Sequence, residues 1–146
     1  MSIARSFGFD AAVLDREDLP VALIEVKSSP PVNGWSNWLR DMLNGNEVSR
    51  TEFLIAIDLT SIQFFPVKDT TLGEPVVFDT AAVLSRYDAD FSGKRIFEPY
   101  LLTLVEAWLR DLAYHWKSPS PPGSNELKSL GFLNRIEGGT TRSAGE

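Results

Sequence analysis

The sequence predicts a mixed β-sheet flanked by helices, an α/β fold of the α+β type with elements in the rough order ββαββαα. Three observations predict it. Short runs rich in Val, Ile and Phe (FGFDAAVLD, PVALIEVK, EFLIAI and SIQFFPV) are bounded by turn residues, as strands are. Two stretches, around Trp35–Met42 and Glu98–Lys117, repeat apolar residues at helical spacing. The strands come in pairs before and after a helix, which departs from regular strand–helix alternation. With 146 residues, 43% hydrophobic and 23% charged, the chain is long enough to bury one core and ordinary in composition for a folded domain.

The elements follow in order. Residues Phe7 to Lys27 read as two apolar runs split by the polar segment Arg16-Glu17-Asp18-Leu19, hence a β-hairpin. Its second run is apolar on both faces, which predicts a central strand covered on both sides. The loop SSPPVNG forbids regular structure. Trp35, Trp38, Leu39 and Met42 then lie at i, i+3, i+4 and i+7 of a helix that stops near Gly45. EFLIAI and SIQFFPV are two more strands around a turn at Asp58–Thr60. Asp79 caps a short helix in TAAVLSRY that packs Val83, Leu84 and Tyr87. A long helix from about Glu98 to Lys117 carries Leu101, Val105, Trp108, Leu112 and Trp116, and Pro99 is tolerated in its first turn. The folded domain is thus expected over residues 1–117. Residues 118–146 read as a Pro/Ser/Gly-rich linker (SPSPPGS), one short helix in NELKSLGFLNRIE and a frayed end.

Composition narrows the chemistry. There is no cysteine and one histidine, His115, so a metal site would use oxygen ligands and suit a hard ion such as Mg²⁺ or Mn²⁺. A net charge of −6 argues against a broad basic surface but leaves room for a local basic groove. The N-terminal residues MSIARSFGFDAAV lack the pattern of a secretory signal, and no stretch approaches the roughly 18 apolar residues of a membrane span. A cytoplasmic protein without membrane contact is expected.

The hairpin places candidate residues together. If Asp15 and Pro20 close its loop, Leu14 faces Val21 and Asp10 faces Glu25. Opposed residues in an antiparallel pair have Cβ atoms about 5 Å apart on one face. Lys27, two residues beyond Glu25, shares that face. Two carboxylates so close repel each other and lose hydration, and a divalent cation relieves both costs. A strand-end carbonyl such as that of Val26 can supply a further oxygen, and Lys27 is placed to steady an attacking water or phosphoryl charge.

Asp10 followed by a strand ending in Glu25-Val26-Lys27 resembles the PD-(D/E)XK nuclease superfamily, with its restriction-endonuclease-like fold. The similarity extends over the helix and the strands FLIAI and SIQFF, roughly residues 7 to 67. It implies Asp10 and Glu25 as metal ligands, Lys27 as the catalytic lysine, Mg²⁺ or Mn²⁺ as cofactor and DNA as substrate. Phe9 stands where that superfamily often has proline. The chain begins nine residues before Asp10, where the superfamily usually has a helix. That helix is missing, truncated, or supplied by a homodimer mate or a partner subunit that completes the N-terminal part of the fold.

Plainer readings stand beside these. With ten Glu and five Lys, about a third of one Glu-x-Lys triplet arises by chance. A second triplet, Glu126-Leu127-Lys128, has no strand before it. The hairpin could be a solvent-edge structure in which Lys27 simply pairs with Glu25 or Asp10. The chain could also be a catalytically inactive nuclease-fold module that recruits a partner protein or nucleic acid. Ser28 and Arg40 are candidate phosphate contacts, although strand termination and a solvated surface explain them too. Asp15, Glu17 and Asp18 read as turn residues, the four tryptophans as core before base-stacking platforms, and Arg110 and Asp111 as a solvated face.

Overall fold

The computed structural model of the protein describes residue 4, residues 8–44 and residues 51–144. The run expected to be a central strand is one: β2 (Pro20–Val26) lies between β1 (Ala11–Leu14), to which it is antiparallel, and β3 (Phe53–Ile57), to which it is parallel. A hairpin suffices for the first pairing, whereas the parallel one needs a crossover. Helix α1 (Trp35–Leu43) supplies it. Its expected stop at Gly45 falls outside the described residues. β3 turns through Asp58–Thr60 into antiparallel β4 (Ser61–Lys68), which also pairs β5 (Thr71–Leu72) and β6 (Val76–Asp79). The sheet of seven strands runs β5-β4-β3-β2-β1-β7, with β6 also on β4 and β7 (Thr140–Ser143) antiparallel to β1. The fold is a mixed sheet flanked by helices, of the α+β type.

Alternation along the strands divides the core in two. Ala12, Leu14, Leu23, Leu54, Ala56 and Phe65 pack against Trp35, Leu39 and Leu43 of α1. The opposite set, including Ile24, Ile55, Ile57 and Phe64, is covered by α2 (Thr80–Leu84), capped as expected by Asp79 Oδ2 accepting from the Ala82 N–H, and by α3 (Glu98–Tyr114). Trp108 is fully buried there, its ring edge-on to Phe64 and Phe78 with centroids 5.7 and 5.6 Å away. No helix among the described residues is long and apolar enough to cross a membrane.

Several expectations need correction. The segment after residue 118 is neither a tail nor a linker to one. It forms α4 (Ser124–Leu130), α5 (Phe132–Ile136) and β7, and it buries Leu127, Phe132 and Ile136 in the same core. Gly131, at φ 87°, ends one helix and opens the next, so the single expected helix is two. The Pro-rich connection is pinned by Trp108, whose Nε1–H donates to the Pro122 carbonyl at 2.9 Å.

α3 stops at Tyr114, because His115 takes the left-handed conformation (φ 55°) and closes the helix with a bond to Asp111 O. Trp116, expected on the helix stripe, therefore lies past its end and is exposed. The turn carries the chain back over Asp111, which was expected on a solvated face and is fully buried. Its Oδ2 accepts from the Tyr87 hydroxyl at 2.6 Å, and its Oδ1 from the N–H groups of Lys117 and Ser118. Burial, reinforced by that carboxylate, pushes the Tyr87 hydroxyl well above its ordinary pKa.

Candidate functional site

The hairpin register decides whether the acids meet. Asp15 Oδ1 accepts from the Glu17 and Leu19 N–H groups, and the Asp15 N–H bonds Leu19 O. This loop is one residue tighter than the one expected, so Leu14 pairs with Pro20 and not Val21. A bulge between Val13 and Leu14 then absorbs Val21, and Val13, Ala12 and Ala11 face Ala22, Leu23 and Ile24. The two differences cancel. The pairing ends at Ala11 and Ile24, and Asp10, the next residue, turns its N–H back to Ile24 O beside Glu25.

Asp10 is held from three sides. Its N–H donates to Ile24 O (2.9 Å), its carbonyl accepts from the Ala144 N–H (2.7 Å), and its Oδ2 accepts from the Val26 N–H (2.8 Å). The chain segment read as a frayed end thus helps to fix the first acid. Glu25, only 8% exposed, comes close enough to Asp10 for the two carboxyls to interact directly. Burial first, then the Asp10 charge, push its pKa up to about 7, against the pull of Lys27. Glu25 Oε2 meets Lys27 Nζ at 3.2 Å, while its buried Oε1 has no hydrogen-bond partner.

Lys27 extends the β2–β3 pairing through its N–H bond to Ile57 O. Its Nζ lies 4.9 Å from the centroid of the Trp38 ring, a cation–π contact that steadies a side chain still one-third exposed. Trp38 is itself fixed edge-on to Phe9 and Trp35. Trp35 in turn donates its Nε1–H to Asp58 Oδ2 at 2.8 Å. The tryptophans of α1 therefore form the wall that positions the lysine.

A further acid, Glu98 at the first position of α3, lines a cleft of about 270 Å³ together with Asp10, Val26, Leu102 and Ala144. Its Oε2 accepts from both the N–H and the Oγ–H of Ser28, at 3.0 and 3.2 Å. Ser28, expected as a phosphate contact, is engaged with this carboxylate. Nothing in the order of residues pairs positions 28 and 98; only a glutamate in the first helical turn was visible. Arg40 is on the exposed side of α1, bonded to Asn37 of the same helix at 3.5 Å, and does not join the cluster. Glu126 and Lys128 of the second triplet lie on α4, a helix.

The donor set is small. Among the described residues, no three or more His, Asp or Glu side chains gather as a metal site. The geometry instead supplies two adjoining carboxylates, one with a buried oxygen that lacks a partner. Such an oxygen is costly unless a proton or a cation meets it. An oxygen-preferring divalent ion fits this donor chemistry. Compared with protein families, curated proteins and solved structures, the chain gives no match.

Proposed function

We propose that the protein is a metal-dependent nuclease of the PD-(D/E)XK type, hydrolysing phosphodiester bonds in DNA. The observation that carries this reading is the buried, unpartnered Oε1 of Glu25, a carboxylate whose pKa the neighbouring Asp10 helps to raise. Asp10 and Glu25, with the Val26 carbonyl, would hold Mg²⁺ or Mn²⁺. When bound, such an ion acts as a Lewis acid toward a phosphoryl oxygen and lowers the pKa of a bound water.

The chain's own groups supply the remainder. Asp10 is oriented by the Val26 N–H and faces the cleft, so it gives a phosphate access to an otherwise covered pair. Lys27, held beside Glu25 by Trp38, offers an ammonium for negative charge developing on a phosphoryl group. Glu98 is kept in place by Ser28 at the rim of the same cleft.

A second reading is favoured by the same oxygen: a proton on Glu25, shared with Asp10, would satisfy it as well. The protein would then be a nuclease-fold module that recruits a partner protein or nucleic acid without cutting. DNA cleavage with Mg²⁺ or Mn²⁺ separates the two. The nuclease reading expects cleavage that falls by about a hundredfold or more in Asp10→Ala and Lys27→Ala, together with a metal-linked rise in melting temperature in the wild type. Cleavage unchanged in both variants, or no thermal response to either ion, overturns it.

A further inference from the structure

A groove of about 500 Å³ opens beside the site, from Ser28 to the segment that leads into α3. Its lining includes the buried apolar Phe91 and Ile96 and the exposed Leu59, Lys94, Arg95 and Phe97. The volume lies within the range of pockets that take one small ligand or one nucleotide unit. The two cations differ. Lys94 is neutralised by Asp88, at 2.6 Å, whereas no acidic side chain among the described residues pairs with Arg95. The Arg95 guanidinium stands 5.0 Å from the Phe97 ring centroid, and that ring is 59% exposed. In a chain of net charge −6, a groove whose arginine has no acidic partner among the described residues and lies over one face of a largely exposed aromatic ring has the complement of an anionic ligand with a flat ring. Ser28 joins this groove to Lys27 by one peptide bond.

We infer that this groove seats one unpaired nucleotide of a DNA strand, its base stacked on Phe97 and its phosphate on Arg95. The inference rests on the nuclease reading and sharpens it toward single-stranded DNA. Faces of paired bases are covered by their neighbours in a duplex, so an aromatic side chain stacks on a paired base only at the cost of unstacking it, a cost that an unpaired base does not carry. The strand would then continue past Ser28 toward the two carboxylates.

The test is fluorescence anisotropy without divalent metal, using a labelled oligothymidylate of about twelve nucleotides and a duplex of equal length. The wild type should bind the single strand at least about tenfold more tightly than the duplex. Phe97→Ala should weaken single-strand binding by about tenfold, and Phe97→Trp should retain it. Arg95→Gln should weaken it and flatten its salt dependence by roughly one phosphate contact. Both side chains are exposed, so the variants should fold. Equal affinity of wild type and Phe97→Ala, or a preference for duplex, overturns the inference. Binding without metal keeps the two readings apart. Phe97-dependent binding with no metal-dependent cleavage would sink the nuclease alone. Asp10-dependent cleavage with Phe97-independent binding would sink the groove alone.

Discussion

Glu25→Gln should make the metal-free protein more stable at pH 8 and remove a pH dependence that the wild type carries. Burial and Asp10 raise the Glu25 carboxyl from its ordinary 4.5 to about 7. The folded state therefore binds this proton more tightly than the unfolded chain does. As pH rises from about 4.5 to about 7, the unfolded chain gives up the proton first, so folding stability falls through that window and stays low above it. At about 1.4 kcal/mol per pKa unit, the full loss is about 3 kcal/mol. For a chain of this size that corresponds to a drop of about 6–12 °C in melting temperature.

The glutamine amide keeps the shape, carries no charge and can donate a hydrogen bond to Asp10. The variant should lack that slope and melt above the wild type at pH 8. Other perturbed acids act outside the window: Asp88, held by Lys94 and Tyr100 at about 2, and Asp15, held by the Leu19 N–H, matter only in more acidic solution. Thermal melts of both proteins from about pH 5 to pH 8, with and without Mg²⁺, measure the difference directly. The ion should restore much of the wild-type stability at high pH and leave the variant unchanged. Parallel slopes in the two proteins would refute the claim that Glu25 is desolvated against Asp10.

Other perturbations read different parts of the structure. Asp111→Ala strands the Tyr87 hydroxyl and the Lys117 and Ser118 N–H groups, and should cost about 3 kcal/mol or more in denaturant titration. Trp108→Ala removes the fully buried ring between Phe64 and Phe78 and the bond to Pro122, with an expected loss of about 3–5 kcal/mol. Ending the chain at Glu137 deletes β7, leaves β1 as an open edge and removes the Ala144 bond to Asp10. That truncation should lower the melting temperature and promote association, read by thermal melts and light scattering.

The hairpin, α1, the β3–β4 pair and the Asp79 cap were legible in the amino-acid order because each is written locally. Alternation, helical spacing and turn residues occupy neighbouring positions, and an antiparallel hairpin converts sequence distance directly into facing pairs. Asp10 could thus be brought near Glu25 from residue numbers, although the tighter loop and the bulge offset each other in a way those numbers do not contain.

The pairing of β7 with β1, the burial of Asp111 and the meeting of Glu98 with Ser28 were decided by tertiary structure. Thr140–Ser143 is a short edge strand with no apolar alternation, so its partner across more than a hundred residues of chain leaves no periodic trace. Asp111 resembles any surface acid until His115 reverses the chain above it. Local order specifies which segments are strands and helices; the choice among distant partners depends on the free energy of closing the whole core, which no single stretch of sequence carries.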